Sequence, residues 1–205
     1  ASPSAVKRAA LLSFAVAAVA GLAIALSTSL VLLLVGAAAI AAGWFYTGGP
    51  KPYGYLGLGE VFVFVFFGLV ATAGTTFAAI ESVTALSLVT GSAVGALACA
   101  LLVINNLRDI PTDREVGKKT LAVRLGDRRT RWFYVGLIGA AFVLSAVGAA
   151  WRLPVLLGLA AIPLAIRPVR SVLGGATGAA LIPVLGETGK LQLAWGLLVT
   201  IGLAL

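Results

Sequence analysis

The sequence has no histidine and no methionine, and its only cysteine is Cys99. A single cysteine excludes an internal disulfide framework. The lack of histidine excludes a Cys/His zinc site and acid–base catalysis by imidazole. Charge is also scarce, because only 11% of the 205 residues are Asp, Glu, Lys or Arg. Any catalysis must therefore use carboxylates, lysine, arginine, tyrosine, asparagine or a bound metal ion.

Apolar residues make up 60% of the chain, which leaves too little charge to cover the surface of a soluble domain. We therefore predict an all-α, polytopic transmembrane helix bundle that forms a single domain over residues 1–205. A bilayer core of about 30 Å needs roughly 20 apolar residues per helix. Gly91 and Gly95, four residues apart, predict close packing between two of the helices. Seven apolar stretches are predicted spans: 8–26, 29–46, 57–75, 83–104, 132–150, 153–169 and 190–205.

The lysine and arginine residues indicate how this bundle is oriented. With seven spans, all the cations except Arg152 fall on the face that carries the N-terminus, and Lys51 is among them. The positive-inside rule predicts that this face is cytoplasmic, in the cell inner (plasma) membrane. Cations arranged this way do not indicate nucleic-acid binding. The connections on this face, 47–56, 105–131 and 170–189, are also the long ones, where function commonly lies.

The segment 105–131 holds more than half of all the charged residues. Asp109 and Asp113 are four residues apart, so on one helical face they would repel each other unless a divalent cation reversed the effect. Pro111 lies between them and fits best in a first helical turn, which favours aspartates that flank a helix start rather than share one helix. Solvated charges that mark a membrane boundary are the alternative interpretation.

Amides and cations lie on either side of these aspartates. Asn105 and Asn106 end an apolar span, where uncharged amides cost free energy unless they bind something. Lys118, Lys119 and Arg124 follow within about a dozen residues. Mg²⁺ typically takes one or two carboxylates and completes its octahedron with water and phosphate oxygens, while lysine and arginine neutralise the remaining phosphate charge. The pattern favours a magnesium-chelated diphosphate whose substrate has an apolar tail in the bilayer.

Three separated stretches of the sequence resemble one family. The first reads Asn-Asn-Leu-Arg-Asp-Ile over 105–110, then Asp113, then Gly-Lys-Lys-Thr-Leu-Ala-Val-Arg-Leu-Gly over 117–126. It resembles the second aspartate-rich motif of the intramembrane aromatic prenyltransferases. The other two are Pro-Tyr-Gly-Tyr-Leu-Gly-Leu-Gly-Glu over 52–60 and Gly-Glu-Thr-Gly-Lys-Leu-Gln over 186–192. Within the family, the chain is most similar to the branch that prenylates 1,4-dihydroxy-2-naphthoate in menaquinone biosynthesis.

The resemblance implies a bundle of nine helices in which two aspartate-rich motifs bind a diphosphate through Mg²⁺. The first motif, of the Asn-Asp-x-x-x-Asp type, is absent from these residues. We therefore expect the seven spans to be helices three to nine, with that motif upstream of Ala1. The implied reaction is the transfer of a polyprenyl group from a polyprenyl diphosphate to 1,4-dihydroxy-2-naphthoate, with loss of CO₂, which gives demethylmenaquinone.

The resemblance also implies roles for individual residues. Asp109 and Asp113 would bind Mg²⁺ and take part in catalysis. Apart from the resemblance, the position of Glu60 at the inner end of a span leaves two interpretations: a contact for the aromatic substrate or a solvated surface carboxylate. The implied substrate-binding residues are Asn105, Asn106, Arg108, Lys118, Lys119, Arg124, Tyr53 and Tyr55. Aromatic faces can stabilise an allylic cation, and the candidates are Tyr53, Tyr55, Phe62, Phe64 and Phe66. The alternative interpretation of each is interfacial anchoring and packing.

Three other functions stay open at the level of sequence. A transporter usually has ionisable residues at mid-membrane depth, whereas these spans have none near their centres. A scaffold whose basic loop binds anionic lipid needs cations, but not two aspartates and two asparagines among them. A prenyltransferase for another aromatic acceptor, such as 4-hydroxybenzoate or a haem or chlorophyll precursor, would use the same diphosphate chemistry.

Overall fold

The computed structural model describes residues 2–50 and 52–205, and these residues form helices and turns with no β-strand among them. Lys51, which we assigned to the cytoplasmic face, lies outside the described residues, as does Ala1. The helices are α1 (Pro3–Ser27), α2 (Val31–Thr47), α3 (Gly59–Ile80), α4 (Ala85–Glu115), α5 (Leu121–Leu125), α6 (Asp127–Gly148), α7 (Leu153–Leu173) and α8 (Ile182–Ala204).

Two of these helices change their winding along their length. A π-helical stretch, Phe64–Val70, interrupts α3 between two α-helical parts. The first part of α7, Leu153–Ala161, is a 3₁₀-helix. Short 3₁₀ turns also form at Tyr53–Leu56 and at Gly178–Leu181. A π-helical turn inside an α-helix often marks a functional site, because it redirects the side chains on either side of it.

Five helices in the described part of the chain are long and apolar enough to cross a membrane, namely α1, α3, α4, α6 and α7. The predicted all-α membrane bundle is therefore confirmed. The stretch 29–46 corresponds to α2, which is apolar but has only 17 residues. The stretch 190–205 lies within α8, which begins at Ile182 and is not among the five. The count of seven spans stays a prediction.

Helix α4 is the centre of the bundle. In its apolar stretch 61% of the residues are buried, compared with only 6% in that of α1. Helices α3, α6 and α8 all pack against α4. The helix begins with a capping box, in which the Ser87 N–H donates to Thr84 Oγ1 (3.0 Å) and the Thr84 N–H donates to Ser87 Oγ (3.1 Å). Side chains on α4 are therefore the ones that the other helices hold in fixed positions.

Helices α3 and α4 cross where three glycines meet, in agreement with the packing predicted from Gly91 and Gly95. A Cβ atom on Gly68 would lie 2.5 Å from the Gly95 Cα atom and 2.7 Å from the Gly91 carbonyl oxygen. A Cβ atom on Gly95 would lie 2.9 Å from the Phe64 ring. Glycines at such a crossing let two backbones touch, which sets how far α3 stands from the polar end of α4.

The polar segment 105–131 is mostly helical and is not a loop. Helix α4 continues to Glu115, and α5 and α6 cover most of the remaining residues. Asp109 and Asp113 therefore share one helix, and the prediction that Pro111 places them at a helix start is wrong. The predicted loop 170–189 is likewise partly helical, because it contains the end of α7 and the start of α8.

Helix α4 tolerates Pro111 because of where that residue lies. Proline lacks an N–H and leaves the carbonyl of Leu107 without its usual helical donor. Pro111 itself is exposed, whereas its neighbours Ile110 and Asp113 are buried at 6% and 7% exposure. Because this inner side is buried, the helix continues for one further turn beyond the proline.

Candidate functional site

One face of α4 carries the predicted polar residues. Asn106, Asp109 and Asp113 follow one another at intervals of three and four residues, so they lie on the same side of the helix. Asn106 is buried at 6% exposure, and its side-chain N–H donates to Glu60 Oε1 at 3.0 Å. This contact ties the polar face of α4 to the first turn of α3.

Asp109 belongs to a cluster in the solvent-exposed part of this face. Arg108 donates from Nε to Asp109 Oδ1 (2.7 Å) and from Nη2 to Asp109 Oδ2 (2.8 Å). The same Nη2 donates to Asn105 Oδ1 at 2.8 Å. The side chains of Arg108 and Asp109 are 28% and 30% exposed, so this ion pair is within reach of solvent. The arginine thus neutralises a carboxylate that a ligand can still approach.

Asp113 lies one turn further along α4 and is nearly buried. Its Oδ1 accepts from Lys118 Nζ at 3.2 Å, and its Oδ2 accepts from the Thr120 hydroxyl at 3.4 Å. The chain turns back between these residues through Gly117, whose φ of +70° is unfavourable for any residue with a side chain. Thr120 also caps α5 by accepting from the Val123 N–H. The turn therefore brings an ammonium and a hydroxyl onto the aspartate.

The turn after α4 also binds the Tyr53–Leu56 segment. The Lys119 N–H donates to the Tyr55 carbonyl at 3.0 Å, and Arg124 Nη2 donates to the Leu56 carbonyl at 3.0 Å. Gly57, with a φ of +74°, lets the chains approach, because a Cβ there would lie 2.9 Å from the Lys119 carbonyl oxygen. Two stretches that carry the family resemblance, far apart in sequence, thus form one structural unit.

A polar pocket of about 140 Å³ opens between these two stretches. Asn106, Lys118 and Thr120 form one side, and Tyr55 and Glu60 lie on the other. The Lys118 ammonium lies 5.5 Å from the centre of the Tyr55 ring, within the range of a cation–π interaction. The pocket therefore combines one ammonium, one carboxylate, an amide, a hydroxyl and an aromatic ring.

A larger, apolar cavity of about 560 Å³ lies beside the polar pocket, and Tyr46 lines both. Tyr53 and Phe62 stack in it with ring centres 3.8 Å apart, and Phe66 follows at 6.0 Å from Phe62. The Tyr53 hydroxyl donates to the Ala42 carbonyl at 2.8 Å. Burial raises the pKa of the Tyr53 phenol, so this donor stays protonated at neutral pH.

The structure brings together only some of the predicted site residues. Asn106, Lys118 and Tyr55 line the polar pocket, and Asp113 touches it through Lys118. Tyr53 lines the apolar cavity instead. The remaining predicted residues line neither pocket: Asn105, Arg108, Asp109, Lys119 and Arg124. Of the aromatic candidates, Phe64 packs against Gly95 of α4 rather than into the cavity.

Three side chains that line the polar pocket are absent from the residues predicted from the sequence, namely Tyr46, Thr47 and Thr120, and a fourth residue, Glu60, was misjudged. Tyr46 ends an apolar run, and no local pattern distinguishes it from an interfacial anchor. Thr120 did carry a signal, because a threonine directly before a short apolar helix is a typical N-cap. Glu60 was left as either a substrate contact or a surface carboxylate, and the surface interpretation is wrong because the residue is only 5% exposed.

The carboxylates of the site fit a metal ion in one way only. In residues 2–50 and 52–205, no group of three or more His, Cys, Asp or Glu side chains could hold a metal ion by itself. Asp109 and Asp113 lie one turn apart on the same face, which suits Mg²⁺ held by two carboxylates and completed by phosphate oxygens and water. A metal ion held by these two aspartates would need further ligands from phosphate or water.

Comparison with known proteins agrees with this geometry. The sequence model of the UbiA prenyltransferase family matches residues 2–174. A 1,4-dihydroxy-2-naphthoate octaprenyltransferase of Mycobacterium tuberculosis (strain ATCC 25618 / H37Rv) is 50% identical over 204 residues, or 100% of this chain and 70% of that protein. The protein of the same description from Escherichia coli (strain K12) is 38% identical over 176 residues, which cover 84% of this chain and 57% of that protein. A 2-carboxy-1,4-naphthoquinone phytyltransferase of Synechocystis sp. (strain ATCC 27184 / PCC 6803 / Kazusa) is 31% identical over 147 residues, which cover 69% of this chain and 47% of that protein.

Proposed function

The chain belongs to the UbiA prenyltransferase family, and from that premise we propose that it transfers a polyprenyl group from a polyprenyl diphosphate to 1,4-dihydroxy-2-naphthoate. The acceptor loses CO₂ and the donor loses diphosphate in this reaction, so the immediate product is the hydroquinone demethylmenaquinol, which a separate two-electron oxidation converts to demethylmenaquinone. The identity of 50% over 204 residues to an octaprenyltransferase with this acceptor supports the substrates. An enzyme is favoured over a transporter or a lipid-binding scaffold, because the family is one of prenyltransferases.

The observation that carries the proposal is the shared wall between the two cavities. A polyprenyl diphosphate has a long apolar tail and a highly charged head, so it needs an apolar and a polar compartment in contact. The apolar cavity is lined by aromatic and aliphatic side chains, and Tyr46 separates it from the polar pocket. The allylic carbon, where head and tail join, would then lie near Tyr46, at the point where the acceptor must also arrive.

The polar face of α4 would hold the diphosphate. Asp109 and Asp113 would bind Mg²⁺, which when present would neutralise charge on the departing diphosphate. Arg108 and Lys118 now pair with these aspartates. Both cations are positioned to turn to phosphate oxygens once the carboxylates engage the metal, and each such contact is a charge-assisted hydrogen bond. The chain thus offers the leaving group two carboxylates for its metal and two cations for its oxygens.

The apolar cavity would protect the reacting carbon. Loss of diphosphate leaves an allylic cation that water would capture, so the site has to exclude water. The stacked rings of Tyr53, Phe62 and Phe66 offer aromatic faces that attract a cation. The Tyr53 ring is held in place by its hydrogen bond to the Ala42 carbonyl. These rings would therefore steer the cation toward the acceptor.

We also propose the finer topology predicted from the sequence. Seven spans of a single domain, with α2 and α8 included, put the segments 47–56, 105–131 and 170–189 on one face of the cell inner membrane. The concentration of cations on that face supports a cytoplasmic orientation. Asp109, Asp113 and the polar pocket then open toward the cytoplasm, where a water-soluble acceptor is available.

The experiment that tests this function is a transfer assay with two acceptors. Membranes that carry the natural gene product containing these 205 residues are given octaprenyl diphosphate and Mg²⁺, with either 1,4-dihydroxy-2-naphthoate or 4-hydroxybenzoate. We expect mass spectrometry to detect prenylated naphthoquinone and no prenylated hydroxybenzoate. Product from 4-hydroxybenzoate alone would show that the acceptor is wrong. No product from either acceptor would reject the enzymatic function itself.

A further inference from the structure

The Glu60 carboxylate has one oxygen in use and one free. Its side chain is held by the Asn106 amide on Oε1, and the Cys99 thiol donates to its backbone carbonyl at 3.1 Å. Oε2 is buried and has no hydrogen-bond partner in the described part of the chain. A buried polar atom without a partner is rare in folded proteins and costly, so such an atom calls for a donor that arrives from elsewhere.

The polar pocket in front of Glu60 shows which donor fits. Lys118 supplies a positive charge, and the Tyr55 ring forms part of the wall. A diphosphate has no hydroxyl to donate, so it would leave Oε2 without a partner. A planar aromatic acid with a hydroxyl group has what this side of the pocket requires: a donor for Oε2 and a ring for the tyrosine face, while Lys118 stays with Asp113 and the diphosphate.

We propose that Glu60 Oε2 accepts a hydrogen bond from a ring hydroxyl of the aromatic acceptor, and that Glu60 thereby selects ligands that carry such a hydroxyl. This inference rests on the proposed function for the identity of the acceptor. Tyr46 lines both the polar pocket and the apolar cavity, so an acceptor bound at Glu60 lies next to the compartment that would hold the prenyl chain. The carboxylate positions the acceptor, whereas Asp109 and Asp113 serve the diphosphate.

The proposal predicts how the protein treats an acceptor that lacks hydroxyl groups. With 2-naphthoate in the pocket, Oε2 stays buried and unpaired, and sites built to bind a hydroxyl strongly reject analogues without one. We therefore expect 2-naphthoate to bind at least about tenfold more weakly than 1,4-dihydroxy-2-naphthoate. The charge of the carboxylate and the naphthalene ring are common to both ligands, so the difference isolates the hydroxyl groups.

The variant Glu60→Gln removes the acceptor atom and keeps the shape of the side chain. The glutamine oxygen can still accept from Asn106, but an amide N–H₂ then replaces Oε2 and cannot accept a hydrogen bond. We expect this variant to bind 1,4-dihydroxy-2-naphthoate about tenfold or more weakly and to bind 2-naphthoate as the parent does. The matched control is Glu81→Gln, because Glu81 is an exposed glutamate just past the other end of α3.

The measurement combines equilibrium binding with steady-state kinetics on the natural gene product in lipid nanodiscs. Binding of the two naphthoates is followed by their fluorescence, and the transfer assay gives a KM for each substrate. We expect Glu60→Gln to raise the KM for the acceptor and to leave the KM for octaprenyl diphosphate unchanged. We expect Glu81→Gln to change neither value.

Several outcomes would overturn the role proposed for Glu60, and they can be distinguished from the outcomes that would overturn the proposed transferase function. Equal binding of both naphthoates by the parent would overturn it, and this result needs no folded variant. A Glu60→Gln defect confined to the KM for octaprenyl diphosphate would overturn it as well. If the parent prefers the hydroxylated ligand through Glu60 but forms no prenylated product, the proposed function fails and the inference stands. If the parent forms product and Glu60→Gln behaves identically, the inference fails and the proposed function stands.

Discussion

Replacing Asp109 with asparagine is expected to lower prenyl transfer by at least about 100-fold, because the change removes a carboxylate proposed to hold the metal ion on the diphosphate. Stability should change little, since the ion pair with Arg108 is partly exposed and such pairs contribute only about 0–1 kcal/mol. The measurement is the transfer assay on membranes with matched amounts of protein, together with thermal unfolding in detergent. The two readouts separate loss of chemistry from loss of fold.

The control for this variant is Glu115→Gln on the same helix. Glu115 is an exposed carboxylate at the end of α4, so it is subject to the same substitution without contact to the polar pocket. We expect its transfer rate to equal that of the parent. A variant Asp109→Asn that keeps transfer within a few-fold of the parent would remove Asp109 from the diphosphate site. A similar loss in both variants would indicate a general effect of charge on α4.

Replacing Gly68 with alanine is expected to lower the free energy of unfolding by about 3 kcal/mol or more and to lower transfer as well. The added methyl group would lie 2.5 Å from the Gly95 Cα atom and 2.7 Å from the Gly91 carbonyl oxygen. These atoms belong to the backbone of α4, so no side-chain rotation relieves the contact. Helix α3 must shift, and Glu60 and Phe62 shift with it, which disturbs both cavities at once.

The matched substitution is Gly74→Ala in the same helix. The nearest atom to a Cβ at Gly74 is a Val70 methyl carbon at 4.0 Å, so the added group meets no obstacle. Alanine is a better helix former than glycine by about 0.5–1 kcal/mol, so we expect Gly74→Ala to be neutral or slightly stabilising. Thermal unfolding in detergent compares the two. Equal stability of both variants would show that the α3–α4 crossing is looser than the structure indicates.

Composition and the apolar runs were enough to predict the membrane helices. Each predicted span overlaps a helix, and five of the helices in the described residues are long and apolar enough to cross a membrane. The glycine spacing at 91 and 95 correctly indicated a close crossing. The predicted helix boundaries are wrong in the segment 105–131, where charged residues are dense. Dense charge at 105–131 favours a solvated loop, but in the structure Asp109 is paired with Arg108 and Asp113 with Lys118. These pairs cancel the repulsion that the spacing of the aspartates predicted, and the helix therefore continues.

The candidate site was only partly visible in the sequence. The stretches 52–60 and 117–126 each carry the family resemblance, and nothing local indicates that the Lys119 N–H and the Arg124 side chain join them by donating to the carbonyls of Tyr55 and Leu56. The burial of Glu60 is a tertiary property, because it depends on how closely α3 approaches α4 at Gly68. A pattern of residues shows which groups can do chemistry, but the packing of the helices decides which of them meet.

The most direct test of the account is the dependence of diphosphate binding on Mg²⁺. Labelled octaprenyl diphosphate is titrated against the natural gene product in nanodiscs, once with Mg²⁺ and once with excess EDTA, in the absence of the aromatic acceptor. We predict saturable binding with Mg²⁺ and at least about tenfold weaker binding in EDTA, because without the metal ion nothing bridges the two aspartates to the negatively charged diphosphate. Equal affinity under both conditions would contradict the central claim that the polar face of α4 binds the diphosphate through a metal ion.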